Sequence, residues 1–130
     1  MATTNPPGFK VTFDVTNLDV TCAFYKTLGG FEVASTTRAG EIFETRELVS
    51  PEFPGVRFVA RASFGKRAVG TSPGTITSIG LPVTDLPGAI RRLSGHVRWV
   101  GPSPEEAPDE GRQSVAVMDP DAYQIVLYRA

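Results

Sequence analysis

Few side chains in this 130-residue sequence have the types and spacing that chemistry needs. The single histidine, His96, follows Gly95 and has no second histidine with which to share a metal ion, so it reads as a surface residue at a helix end. The single cysteine, Cys22, excludes an internal disulfide and falls on a helical apolar stripe, where a thiol acts as a small hydrophobe. Asp119-Pro120-Asp121 reads as a turn with capping carboxylates, not as a catalytic pair. No Ser-His or His-Asp constellation suits nucleophilic catalysis. The remaining candidates lie on alternating runs. Over residues 9–15, Lys10, Thr12 and Asp14 share one face, and Val11, Phe13 and Val15 share the other. Arg57, Val59 and Arg61 alternate in the same way. Asp14 beside either arginine would form an ion pair, orient a ligand, or act as a base if desolvation raised its proton affinity. A structural or orienting role stands ahead of the catalytic one.

The elements that must position these residues are short, because Gly and Pro are frequent. Residues 9–15 form a half-buried strand. Asn17 then caps a helix whose apolar stripe is Leu18, Cys22, Tyr25 and Leu28, and Gly29-Gly30 ends it. Residues 31–34, 41–49 and 56–64 read as strands. The run 65–75, rich in Gly, Ser and Pro, reads as a linker. Residues 76–83 alternate again, and Asp85 caps a second helix with the stripe Leu86, Ala89, Ile90 and Leu93. Pro87 is tolerated in its first turn. Residues 97–100, 112–118 and 123–129 read as three further strands, with a polar, acidic surface loop at 101–111.

The two halves repeat each other. Val15-Thr16-Asn17-Leu18 reappears 68 residues later as Val83-Thr84-Asp85-Leu86, and the helix stripes follow at the same offset. The expected fold is α+β: two βαβββ modules, residues 9–64 and 76–130, forming one domain with a curled mixed sheet around a cleft. Thirteen basic residues stand against 14 acidic ones, for a net charge of -1. This leaves no basic footprint for nucleic acid. No apolar run is long enough to span a membrane, and the polar, Pro-rich start lacks the marks of a secretory signal. A cytoplasmic location is expected.

A βαβββ unit used twice in a chain of this length resembles the vicinal oxygen chelate superfamily, the glyoxalase and bleomycin-resistance group. The resemblance rests on three local features. Val15-Thr16-Asn17-Leu18-Asp19, then Phe24-Tyr25 and Leu28-Gly29-Gly30-Phe31, is similar to the family's strand-to-helix junction and helix exit. Val83-Thr84-Asp85-Leu86 repeats the junction. Asp119-Pro120-Asp121-Ala122 resembles the family's Asp-Pro-Asp-Gly turn, with alanine in place of glycine. The resemblance implies four metal ligands in the metal-dependent members. By pattern these positions fall on Lys10, Val59, Ser78 and Val126. An ammonium group has no free lone pair, and valine has no donor atom. No metal site and no cofactor are therefore expected.

Two functions follow. In the first, the cleft is largely apolar and sequesters a hydrophobic or aromatic small molecule; the resemblance implies antibiotic-binding resistance proteins, commonly dimeric. Phe43, Trp99, Gln124 and Tyr128 join the residues above as ligand contacts, with Trp99 and Tyr128 as aromatic anchors and Asp14, Arg57 and Arg61 setting orientation. In the second, the protein is a metal-independent enzyme of natural-product metabolism (a cyclase, isomerase or hydrolase), with Asp14 or Lys10 as general acid or base. A homodimer is expected in either case.

Overall fold

The computed structural model describes residues 9–39, 43–63 and 78–130. The expected linker at 65–75 lies outside the described residues, as do the expected strand ends at 41–42, 64 and 76–77. The chain divides into two units between Ser72 and Pro73.

In the first unit, strand β1 (Phe9–Asp14) leads into helix α1 (Leu18–Gly29), followed by β2 (Glu32–Ala39), β3 (Phe43–Val49) and β4 (Val56–Ser63). The four strands form a mixed sheet in the order β1-β4-β3-β2, with β1 parallel to β4 and the other pairs antiparallel. The second unit repeats this order. Its elements are β5 (Ser78–Val83), α2 (Leu86–Leu93), β6 (Arg98–Trp99), β7 (Ser114–Met118) and β8 (Gln124–Arg129), in a four-stranded sheet β5-β8-β7-β6. The fold is thus α+β, built from two βαβββ modules.

Local chemistry accounts for both helices. The Asn17 side chain accepts from the Val20 amide, and the Asp85 side chain accepts from the Gly88 amide. Each satisfies an amide that has no partner in the first helical turn. Gly30 closes α1 in the left-handed region at φ 72°, its amide donating to the Lys26 carbonyl.

The buried stripe of α1 is Leu18, Thr21, Tyr25 and Leu28. Thr21 thus sits where the apolar pattern places Cys22, and Cys22 is only half-buried. The stripe holds a hydroxyl that a hydropathy pattern passes over. Cys22 Sγ instead lies 3.8 Å from Nη1 of Arg46, a residue that also pairs with Asp19 of α1 and with Glu44. Its guanidinium proton is held more firmly than usual, first by Glu44 and then by Asp19.

The first core is aromatic. Phe58 of β4 is fully buried, with its ring centroid 4.8 Å from Tyr25 and 4.9 Å from Phe31. The second core is mainly aliphatic: Leu81, Leu86, Ile90, Leu93, Val117, Ile125 and Leu127 are all buried, with Tyr123 as its buried aromatic residue. The same topology is therefore closed by two different packing chemistries. In each sheet these residues occupy the face that carries the helix.

Candidate functional site

Strand alternation leaves the opposite face of each sheet for other work. On the first sheet, register places Lys10, Arg57 and Val49 in one cross-strand row. Thr12, Val59 and Glu47 form the next, and Asp14, Arg61 and Thr45 the third. Phe43, opposite Ser63, follows at the end of β3. Every candidate from the first half is therefore on one face.

The charged groups of this face are paired. Arg61 Nε donates to Asp14 Oδ1 at 2.7 Å, and Arg61 Cζ stands 5.8 Å from the Phe43 ring centroid. The bond to Asp14 is the main reason the Arg61 guanidinium holds its proton more firmly than usual; partial burial works against it. Arg57 Nη1 donates to Glu47 Oε2, and Lys10 Nζ lies 4.0 Å from Glu47 Oε1. Glu47 was missed by the sequence reading. Its signal was present: it lies four residues beyond Phe43 on the same strand, and so on the same face.

On the second sheet the rows are Ser78, Gln124 and Met118; Gly80, Val126 and Ala116; and Pro82, Tyr128 and Ser114. The two later rows are mostly apolar. A methyl group added at Gly80 would stand 3.1 Å from Tyr128 Cε1, so the glycine leaves room for the tyrosine ring to lie over the strand. Tyr128 remains 41% exposed.

Trp99 departs from expectation. Its register partner is Val117, which is buried on the helix-bearing face, so Trp99 and Tyr128 lie on opposite faces of the sheet. A two-residue strand is too short for alternation to reveal its parity. Trp99 Nε1 donates to Glu105 Oε2 at 2.6 Å, and Glu105 also accepts from the Gly95 amide. Trp99 thus fastens the loop at 101–111 and does not share the face of Tyr128.

These bonds, led by the one from Trp99, hold the Glu105 carboxyl below the usual glutamate range. A depressed folded value means the tether is intact above the ordinary carboxylate range and is lost as pH falls through the lowered value. Trp99 is the sole tryptophan. Its fluorescence is therefore expected to change at a pH below the usual glutamate titration, with far-UV circular dichroism unchanged, and Glu105→Gln is expected to abolish that change. A transition that survives in Glu105→Gln would refute the assignment.

The positions implied for metal ligands fall on these two faces: Lys10 and Val59 on the first, Ser78 and Val126 on the second. An ammonium group, two alkyl groups and one hydroxyl do not fit a divalent ion, which needs deprotonated N, O or S donors. Among the described residues no three His, Cys, Asp or Glu side chains cluster as a metal site.

No family model and no curated protein matches the sequence. Solved structures do match. Trypanothione-dependent glyoxalase I of Leishmania major superposes with a TM-score of 0.73 at 20% identity, over 92% of this chain and 84% of that one. The chain has the vicinal oxygen chelate fold. The antibiotic-binding protein TnmS3 from Streptomyces sp. CB03234 shares this fold, with a TM-score of 0.64 at 18% identity over 99% of this chain and 98% of that one. So does the fosfomycin resistance protein FosX of Listeria monocytogenes, complexed with Mn(II) and a dihydroxypropylphosphonic acid. Its TM-score is 0.63 at 16% identity, over 93% of this chain and 89% of that one. Proteins of this fold thus include both binders and enzymes. Among the described residues no helix is long and apolar enough to cross a membrane.

Proposed function

We propose that this protein binds a hydrophobic or aromatic small molecule, an antibiotic or related natural product, without a metal ion and without transforming it, and that it works as a homodimer. The observation that carries this reading is the exposed Tyr128 ring lying over Gly80 beside Pro82, Val126 and Ala116. A flat ligand gains stacking and buried apolar area on such a surface. The first sheet carries a charged face of its own, with Asp14, Arg57 and Arg61. Asp14 Oδ1 already accepts from Arg61, which suits an orienting ion pair better than a proton acceptor. The fold shared with TnmS3, an antibiotic-binding protein, supports the same reading.

Equilibrium dialysis against a panel of antibiotics and polyketide intermediates, with mass spectrometry of the recovered compound, tests it. A bound compound recovered unchanged is the expected result. Conversion during incubation would make the protein an enzyme and overturn the proposal. For a compound that binds, Tyr128→Ala is expected to weaken affinity about ten-fold or more, since both stacking and buried area are lost. Trp99→Ala is expected to change it less than about two-fold, because Trp99 is on the other face. The reverse ranking in isothermal titration would place the ligand on the helix-bearing side.

A further inference from the structure

The open face of the first sheet is charged, and the arrangement of its charges points to a kind of ligand. In the first sheet, Lys10 and Arg57 are register partners on neighbouring strands, and both approach one carboxylate, that of Glu47. The group therefore holds two cations and one anion. Their depths differ as well. The Glu47 side chain is 19% exposed, whereas those of Arg57 and Lys10 are 48% and 58% exposed. The Asp14–Arg61 pair is ordered in the same sense, at 30% and 41%. In both clusters the carboxylate is the less accessible partner, and an arriving molecule meets the cations first.

Lys10 Nζ, at 4.0 Å from Glu47, is beyond hydrogen-bond length, and among the described residues it makes no hydrogen bond. Its N–H donors can therefore turn to another acceptor. The acidic residue at the end of the row of Lys10 and Arg57 is Glu32, on the far edge strand, which pairs in register with Val49. That places it two strands from Arg57, about 10 Å away, and outside the group.

We infer that Lys10 and Arg57, fixed by Glu47, form an oxyanion-accepting subsite on the first sheet, one that takes an aromatic small molecule carrying a carboxylate or a comparable acidic group. This rests on the proposal above that the protein binds small aromatic molecules. Arg57 supplies planar paired donors suited to a carboxylate, and Lys10 supplies a point charge that can follow it. Glu47 keeps the guanidinium in place before the ligand arrives.

A matched pair of probes tests the inference: anthracene-9-carboxylate and its methyl ester, which share the same ring system and differ in charge. Binding is read by fluorescence anisotropy. The carboxylate is expected to bind about five- to ten-fold more tightly than the ester, with the preference lost in Lys10→Met and in Arg57→Met. Raising salt from about 50 to 500 mM is expected to weaken only the carboxylate, because exposed charges are screened; this arm needs no variant. Equal affinity for the two probes, or a preference insensitive to salt and to both substitutions, would overturn the inference and leave the apolar binding function standing. Failure of both probes to bind would overturn the two together.

Discussion

Phe58→Ala is expected to destabilise the protein by about 3–5 kcal/mol, the range for truncating a buried aromatic ring. The ring is fully buried and serves three neighbours at once. Its centroid lies 4.8 Å from Tyr25 on α1, 4.9 Å from Phe31 after the helix, and 6.0 Å from Phe13 on β1. Removing it opens a cavity where helix and sheet meet, and the rings around it are themselves tied: Phe31 stacks on Phe53, and Tyr25 packs edge-on against Phe13. They cannot all collapse inward. Phe58→Leu refills much of the space and is expected to cost less than about 1.5 kcal/mol. Urea denaturation followed by circular dichroism separates the two variants, as a lower midpoint at unchanged slope. Because Phe58 faces the helix, ligand affinity in the absence of denaturant is expected to be unchanged. A loss of under about 1 kcal/mol for Phe58→Ala would show that the first core is not organised around this ring.

Where sequence and structure agree, a local rule and the burial pattern point the same way. Asn17 and Asp85 cap the two helices at equivalent places in the repeat, and in each case the side chain accepts from the amide three residues on. The parity of Lys10, Thr12 and Asp14 was legible because the opposite face carries Phe13 and Val15, whose burial fixes the register of β1. The misses are places where that second constraint is weak. Strand β2 runs to Ala39, well beyond the short strand expected at 31–34. Residues 32–38 are exposed on both faces, so no hydrophobic alternation marks them, and a register shift between Val33 and Ser35 breaks the period. Trp99 was misplaced for a similar reason, since its face is set by pairing with Val117 across a two-residue strand. The apolar character of the second open face was only half legible. Tyr128 and Val126 could be read from alternation, but the role of Gly80 emerges only when the ring is seen over it.

Asp119→Ala is expected to cost about 3 kcal/mol, although Asp119 lies in a turn. The residue is 4% exposed. Its Oδ1 accepts from the Asp121 amide at 2.9 Å and from the Tyr123 amide at 2.8 Å, while its own amide donates to the Tyr123 carbonyl at 2.8 Å. The carboxylate thus holds the turn that reverses β7 into β8, and β8 lies between β5 and β7. Alanine would leave two amides without their acceptor, one of them buried, and an unmet buried donor costs about 1–3 kcal/mol. Asp119→Asn retains an acceptor oxygen and is expected to cost about 1 kcal/mol, the difference between charged and neutral acceptors. Three residues on, Ala122 sits in the left-handed region at φ 70°, which costs a residue with a Cβ about 1–2 kcal/mol. Glycine removes that strain at the expense of extra freedom in the unfolded chain, about 0.5–1 kcal/mol. Ala122→Gly is therefore expected to stabilise the protein by a few tenths to about 1 kcal/mol, opposite in sign to Asp119→Ala. Thermal unfolding of the three variants checks the order Ala122→Gly above the unsubstituted protein, then Asp119→Asn, then Asp119→Ala. If Asp119→Asn were as damaging as Asp119→Ala, charge rather than the acceptor geometry would be what secures the turn.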